Sequence, residues 1–246
     1  MIAGMKLLSL NCEGDKHLER IIPLLQNESP DCICLQEAPE VLTTVLQESS
    51  YYTTFVPLTI RDRSEYQYQE GLLFASRHPH ERDVYFYHRG DAPLVVFEKE
   101  KYRSSMKKAL LYVTVDSFRI AVTHFTWTEN GAIPNDYQQQ DIGALLQHLD
   151  TLPPHLLCGD FNIPRHINPL YEEYLAPRYT DAVPAHHTSS LDPVWHRHAH
   201  TADKQHLFSD YMVDYIFTTP PYVARDTRLL FGVSDHAALV TTIEHS

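Results

Sequence analysis

Short apolar segments run directly into an amide, carboxylate or imidazole side chain at six places in this chain. The polar residues are Asn11, Glu37, His124, Asp160, Asp214 and the neighbours Asp235 and His236. Apolar runs of this length with polar boundaries are typical of buried strands. Because a strand is stiff, it fixes the position of a side chain at its end, and rigid scaffolds often carry function in this way. The pattern therefore predicts a strand-rich fold with functional groups at the strand ends.

The rest of the sequence alternates predicted strands with a few helices. We predict helices at residues 17–26, 41–47 and 137–149. We predict strands at residues 6–10, 31–36, 71–76, 94–97, 109–115, 119–123, 155–158, 211–217 and 237–243. The connection between residues 115 and 119 is too short for a crossover, so these two strands must pair antiparallel. The pattern predicts one α+β domain over residues 1–246.

Composition and charge exclude several classes of protein. The chain of 246 residues is 43% hydrophobic and 21% charged, which is ordinary globular usage and excludes wholesale disorder. Its formal net charge of −12 argues against a protein held to nucleic acid mainly by bulk positive charge. The acidic balance is compatible with carboxylates gathered around a divalent cation.

Targeting signals and cysteines favour a cytoplasmic protein. Residues 1–8 lack the basic and apolar regions of a signal peptide, and no window approaches the ~20 apolar residues of a spanning helix. We therefore expect a cytoplasmic monomer with no membrane partner. The cysteines mostly lie in apolar runs, where we expect buried free thiols. They are Cys12, Cys32, Cys34 and Cys158.

The strand-end side chains include metal ligands, hydrogen-bonding groups and proton carriers. Glu37 and Asp235 are hard oxygen ligands that suit Mg²⁺. Asp160 and Asn162 provide an acceptor and a donor two residues apart. His124 and His236 are candidates for contact with phosphate or for proton transfer, and each needs a carboxylate to fix its tautomer.

The motifs around these residues, taken in order, resemble those of the endonuclease/exonuclease/phosphatase superfamily. They span nearly the whole chain and are Leu10-Asn11, Leu35-Gln36-Glu37, Gly159-Asp160-Phe161-Asn162, Val213-Asp214-Tyr215 and Ser234-Asp235-His236. The resemblance implies a four-layer α/β sandwich, in which two packed, mostly antiparallel sheets are flanked by helices. It also implies hydrolysis of phosphoesters with Mg²⁺ or Mn²⁺ as cofactor.

The resemblance assigns separate roles to the motif residues. Glu37 would bind the metal ion, and Asp235 would lie at or near it. Asp160 would orient or deprotonate the attacking water. Asn11 and Asn162 would hold the metal ligands and the phosphoryl oxygens.

Two histidines have carboxylate partners by the same resemblance. His236 would contact the scissile phosphate and pair with Asp214. Glu70 and His124 look like a second carboxylate–histidine pair of deoxyribonuclease-like members, whereas AP-endonuclease-like members have a tyrosine at the histidine's place. The alternative is that Glu70 caps a strand and His124 packs in the core. We interpret both as catalytic, because both adjoin apolar strands in the expected order.

Basic residues outside the motifs are candidates for substrate binding. Lys107 and Lys108 end a basic stretch at residues 98–108 that would either track phosphates or form a solvated strand and turn. Arg61 and Arg63 lie with two tyrosines in a predicted loop, residues 61–68. A basic and aromatic loop of this kind can hold a phosphate and stack a base, but we favour simple packing there.

A histidine-rich segment, residues 186–206, precedes the predicted strand that contains Asp214. The alternation of His196, His198 and His200 would place three imidazoles on one strand face, which suits a transition metal. A polar loop at this position needs no metal. Contact with substrate is the interpretation we favour, with His196 or Arg197 reaching a terminal phosphate.

The sequence therefore predicts a divalent-metal-dependent phosphoesterase that works by in-line attack of water. We expect a nuclease or phosphodiesterase acting on DNA or RNA, at ends or lesions. In the alternative, the enzyme hydrolyses a small phosphoester such as a nucleotide, sugar phosphate or lipid head group. A binding module without catalysis is a third candidate, against which the intact motif residues argue.

Overall fold

Two sheets of six strands each make up the centre of the computed structural model, which describes residues 4–246. The strands of the first sheet, in spatial order, are β11 (Tyr222–Leu230), β12 (Ala238–His245), β1 (Met5–Asn11), β2 (Cys32–Pro39), β4 (Tyr66–Ser76) and β3 (Tyr52–Arg63). Those of the second sheet are β5 (Glu81–His88), β6 (Lys108–Val115), β7 (Phe118–His124), β8 (Leu156–Asp160), β10 (Asp214–Thr218) and β9 (Thr180–Asp181).

Each sheet has a parallel pair of strands at its centre. β1 runs parallel to β2 in the first sheet, and β7 runs parallel to β8 in the second. The other paired strands are antiparallel, including the predicted hairpin of β6 and β7. Parallel neighbours end at the same sheet edge, so the topology itself gathers Asn11 at the end of β1, Glu37 near the end of β2, and the polar residues at the ends of β7 and β8.

The alternation of side chains along each strand builds two apolar layers. Leu7 and Cys34 face the second sheet and join a core that continues into its strands. Their neighbours Leu8 and Ile33 face the other way and pack against helices. This period of two is what a strand requires when both of its faces are covered.

Helices cover the outer faces of both sheets. The helices are α1 (Leu18–Glu28), α2 (Val41–Glu48), α3 (Tyr102–Ser105), α4 (Asp136–Leu149) and α5 (Leu207–Asp210). α1 and α2 bury Ile21 and Leu42 on the first sheet, and α4 buries Ile142 and Leu145 on the second. The order of helix, sheet, sheet and helix confirms the predicted four-layer α/β sandwich with mostly antiparallel sheets.

Several element predictions need correction. The predicted strand at residues 94–97 is wrong, because only Val96 makes a bridge there, to Ile60. The predicted loop at residues 61–68 is instead the tip of the hairpin formed by β3 and β4, in which residues 61–63 pair with residues 66–68 and residues 64–65 make the turn. We did not predict β3, β5 and β11.

Among the described residues, no helix combines the length and the apolar character needed to cross a membrane. The cysteines Cys12, Cys32, Cys34 and Cys158 are buried free thiols, as predicted. The expectation about residues 1–8 also involves residues 1–3, which lie outside the described residues.

Candidate active site

An amide at the end of β1 joins the two sheets at the candidate site. The Asn11 Nδ2 donates to Asp160 Oδ2 at 2.9 Å and lies 3.4 Å from Glu37 Oε1. Its Oδ1 accepts the backbone N–H of Glu13 at 3.1 Å. Asn11 and Glu37 come from the first sheet and Asp160 from the second, so the structure brings these three predicted residues together.

The backbone at Glu37 turns sharply to present its carboxylate. Its φ of +46° lies in the left-handed region, which non-glycine residues rarely adopt, and such strain often marks functional positions. Burial opposes ionisation of Glu37, but positive charge at His124, Arg61 and His236 outweighs it and lowers the pKa of Glu37 to about 2. Because burial also lowers the pKa of His124 to about 3, Arg61 and His236 carry this charge at neutral pH.

Gly159 allows β8 to approach β7 at the site. Its φ is +148°, and a Cβ there would lie 1.9 Å from the carbonyl oxygen of Thr123. The next residue, Asp160, accepts the Asn162 backbone N–H at 2.9 Å on the oxygen that does not bond Asn11. Burial and the neighbouring Asp214 raise the pKa of Asp160 to about 7.

Asn162 also has a left-handed backbone, with φ of +51°. Its Nδ2 lies 3.3 Å from His124 Nε2 and 3.3 Å from the carbonyl oxygen of Phe125. His124 Nε2 lies 3.6 Å from Asp160 Oδ2 and 3.7 Å from Glu37 Oε1. The predicted residues His124 and Asn162 therefore belong to the same cluster.

His236 and Asp214 form the predicted carboxylate–histidine pair. The His236 Nδ1 and Asp214 Oδ2 are 2.7 Å apart, and His236 Nε2 lies 4.0 Å from Asp160 Oδ2. Burial opposes the charged imidazolium, but Asp214 and Asp235 raise the pKa of His236 well above its ordinary value. The hydroxyl of Ser190 donates to the same oxygen, Asp214 Oδ2, at 2.6 Å.

Acidic side chains outnumber positive ones around this pair. The ligand atoms of Asp160, Asp214 and His236 lie within 4.8 Å of one another. The direct hydrogen bond between His236 and Asp214 occupies the space between them, so that pair is poorly suited to hold an ion. Burial, together with Glu13 and Glu37, raises the pKa of the adjacent Asp235 to about 7.

Glu70 lies at the edge of the cluster but bonds a different partner from the one we predicted. Arg61 donates to Glu70 through Nε at 2.8 Å and Nη2 at 2.6 Å, and lies 3.5 Å from Glu37 Oε2. The two carboxylate oxygens of Glu70 are thus taken up by a bidentate guanidinium. The expected pair of Glu70 and His124 is not formed.

Two of the lysines predicted to bind substrate bond backbone carbonyls in this structure. Lys107 Nζ donates to the carbonyl oxygen of Gly90 at 3.1 Å. Lys108 is 1% exposed, and its Nζ donates to the carbonyls of His124 at 3.0 Å and Phe125 at 2.9 Å. Burial lowers the pKa of Lys108 to about 7. Lys108 therefore positions the backbone beneath the site and has no surface on which to track phosphates.

The histidine-rich segment forms turns, so the predicted strand face with three imidazoles is wrong. Residues 193–200 are turns and bends, with Arg197 and His200 exposed. The rings of His196 and His198 are 5.4 Å apart. The segment reaches the site through Asp192, whose backbone N–H donates to the carbonyl of Asp235 at 2.8 Å.

Sequence reasoning missed two residues of the site. We interpreted Arg61 as a packing residue, although it bridges two buried carboxylates. Ser190 stands in a polar stretch without any motif, and only the tertiary structure places it against Asp214. The signal that could have found Arg61 is its position in β3. Every second side chain of a strand faces the same side, so Arg61 can face the neighbouring strands of its sheet.

Comparison with known proteins agrees with this geometry. The Endonuclease/Exonuclease/phosphatase family matches residues 8–236. No curated protein sequence matches the chain.

Solved structures share the fold at low identity. An endonuclease/exonuclease/phosphatase from Beutenbergia cavernae is 19% identical with a TM-score of 0.70, over 99% of this chain and 72% of that one. The human Nocturnin catalytic domain with bound sulfate is 18% identical with a TM-score of 0.67, over 99% of this chain and 94% of that one. A 3′ phosphatase from Neisseria bound to a product DNA hairpin is 17% identical with a TM-score of 0.66, over 98% and 99%. With its family match over nearly the whole length, this chain belongs to the endonuclease/exonuclease/phosphatase family.

Proposed function

We propose that this chain is a divalent-metal-dependent phosphoesterase with one catalytic domain over residues 1–246. The observation that carries the proposal is the Asn11–Asp160 hydrogen bond at 2.9 Å, around which Glu37, His124 and His236 are gathered from both sheets. Buried carboxylates in excess of nearby positive charge are a fitting environment for a hard divalent cation. Glu37 and Asp235 are the residues we assign to hold Mg²⁺ or Mn²⁺.

The side chains suggest a division of labour during hydrolysis. A bound divalent cation would neutralise part of the phosphoester charge. Asp160, held by Asn11 and by the Asn162 backbone, orients the attacking water and accepts its proton. His236, kept protonated by Asp214, donates a hydrogen bond to the phosphoryl oxygen as negative charge develops there.

The substrate we propose is DNA or RNA, attacked at ends or lesions. The shared fold with a Neisseria 3′ phosphatase bound to a DNA hairpin supports this choice. A small phosphoester is the second candidate, because the net charge is −12 and the ammonium groups of Lys107 and Lys108 bond backbone carbonyls. A salt titration separates the two, since polymer binding weakens steeply with salt.

The experiment that tests the function measures Mg²⁺-dependent hydrolysis on a parallel set of substrates. The set contains an AP-site duplex, single-stranded DNA, RNA, a 5′-tyrosyl oligonucleotide and small phosphomonoesters. We expect turnover in the wild type and a loss of several orders of magnitude in Asp160→Asn, with an unchanged circular dichroism spectrum. Equal turnover in Asp160→Asn would reveal a contaminating nuclease, and no turnover on any substrate would refute the proposal.

A second variant tests the metal assignment. Glu37→Gln removes a charged ligand, so its turnover at limiting Mg²⁺ should fall by orders of magnitude and recover partly at high Mg²⁺. The matched control is Glu19→Gln, which removes an exposed carboxylate from α1. An unchanged dependence on Mg²⁺ in Glu37→Gln would contradict the assignment.

A further inference from the structure

An aromatic side chain is exposed next to the candidate site. Trp195 is 41% exposed, and its neighbours Val194 and Phe231 are 61% and 46% exposed. The guanidinium of Arg20 lies 3.5 Å from the centre of the Trp195 ring, and the centre of the His17 ring lies 6.2 Å from it in an edge-on arrangement. Among residues 4–246, no other cation or ring stacks on this indole, so Arg20 is its stacking partner there and the side chain stays partly exposed.

One anchor ties Trp195 to the metal side of the site. The buried Asp192 accepts the backbone N–H of Trp195 at 3.0 Å and that of Gly232 at 2.6 Å. The backbone N–H of Asp192 itself donates to the carbonyl of Asp235 at 2.8 Å. Three residues of chain span at most about 11 Å, so the backbone of Trp195 lies within about 11 Å of Asp192, which bonds the backbone of Asp235.

A second anchor ties the supporting residues to the opposite side of the site. His17 Nε2 lies 2.9 Å from Glu13 Oε2, and the backbone N–H of Glu13 donates to Asn11 Oδ1 at 3.1 Å. The indole is thus held in a fixed place relative to Asn11 and Asp235 without being covered. An exposed tryptophan that serves only packing has no need of two such anchors.

We propose that Trp195, supported by Arg20, is a stacking platform for the nucleobase beside the scissile phosphate. The proposal rests on the proposed function and narrows its substrate class to nucleotides and nucleic acids. A flat indole with a guanidinium beneath it stacks any base through its π-face, whatever the sequence. Arg20 also supplies positive charge beside the indole, together with the nearby Lys16 and Arg197, which favours an anionic ligand. A sugar phosphate or lipid head group has no planar group to place there.

Direct binding tests the platform without any need for turnover. The chain has two tryptophans, so Trp127→Phe leaves Trp195 as the single indole fluorophore. The double variant Trp127→Phe, Asp160→Asn is titrated in the presence of Mg²⁺ with single-stranded hexathymidylate, and separately with an abasic hexamer of equal charge. We expect quenching and at least fivefold tighter binding by the base-bearing oligomer. Equal affinity for both oligomers, or no quenching, would overturn the proposal.

Kinetics on matched substrates give the second test. Removing one base stack changes affinity by about 5- to 150-fold, so Trp195→Ala should raise KM by that factor on hexathymidylate. Trp195→Tyr should recover most of it, and neither variant should change KM on the abasic hexamer. An equal loss on both substrates would indicate a structural role and contradict the platform.

The two proposals fail in different ways. Base-dependent quenching without hydrolysis of any phosphoester would refute the proposed function and leave the platform standing. In the opposite case, hydrolysis is lost in Asp160→Asn but is the same with and without bases on the substrate and in Trp195→Ala. That result would support the proposed function and refute the platform.

Discussion

The orientation of His236 depends on a chain of buried hydrogen bonds. Ser190 donates to Asp214, and Asp214 bonds the imidazole. The Ser190 hydroxyl oxygen also lies 3.2 Å from the backbone nitrogens of Val213 and Asp214, whose N–H groups it accepts. A side chain without any catalytic group thus decides where the proposed catalytic imidazole points.

Ser190→Ala should therefore impair turnover. Losing one buried hydrogen bond costs about 1–3 kcal/mol, so we expect kcat to fall about tenfold with little change in KM. Ser189→Ala is the matched control, because Ser189 is also buried and its hydroxyl bonds only backbone groups, those of Leu207, Tyr211 and Leu191. An equal fall of kcat in both variants would mean that the effect is one of general packing.

The close approach of β8 to β7 makes Gly159 intolerant of a side chain. Gly159→Ala would place Cβ against the Thr123 carbonyl in a conformation that L-residues avoid, and should lower the free energy of unfolding by at least about 2 kcal/mol. Gly143→Ala in α4 is the control, since nothing lies within 4 Å of its new Cβ. There we expect a gain of about 0.5–1 kcal/mol. Urea denaturation measures both, and a tolerated Gly159→Ala would contradict the strand geometry.

The cluster around Asp160 could be predicted because its members follow apolar runs that only strands explain. Arg61 and Lys108 could not, since a basic residue in a polar or alternating stretch is usually solvated. Their roles arise from tertiary structure. Arg61 reaches two carboxylates across the first sheet, and Lys108 is buried beneath the carbonyls of His124 and Phe125.

At the level of elements, a proline lies inside α1. Pro23 is exposed and lacks the N–H that would bond the carbonyl of Glu19. Pro23→Ala restores this bond but loosens the unfolded chain, so we expect a net gain of about 1–2 kcal/mol in the free energy of unfolding. Gln26→Ala, at another exposed position of the helix, should change stability by less than about 0.5 kcal/mol. A loss of stability in Pro23→Ala would show that the helix packs in a bent form that needs the proline.

The elements we missed share a physical cause. β3, β5 and β11 lie at sheet edges, and β5 and β11 are largely exposed or half-buried. Their sequences therefore carry polar residues in place of the apolar runs that mark central strands. The segment at residues 94–97 shows the opposite error, since it is apolar but makes a single bridge.

For the whole molecule, buried neutral histidines couple folding to pH. His155 is 4% exposed, donates through Nδ1 to the Pro153 carbonyl and accepts from the Tyr179 hydroxyl. Burial lowers the pKa of His155 below its ordinary value. Below pH ~6.5, His155 therefore binds a proton in the unfolded chain but stays neutral in the folded chain. The free energy of unfolding falls as the pH decreases through that region.

His155→Gln should weaken this dependence. We expect a smaller difference in Tm between pH 7 and pH 5.5 than in the wild type, measured by calorimetry in the absence of metal. His200→Gln, at an exposed position, should leave the difference unchanged. If His155→Gln retained the full difference, another group would be responsible for acid sensitivity.

The hydrogen bond from Asn11 to Asp160 joins two sheets whose facing surfaces are held together mainly by apolar packing. The proposed catalytic groups thus lie on two opposing sheets, and the packing of one sheet on the other sets the gap between them. The turnover rate should then report how closely the two sheets pack. Pressure, or a cavity opened between the sheets, should therefore abolish turnover while both sheets are still folded. A displacement of about one ångström is enough to misalign reacting groups but does not unfold a packed core.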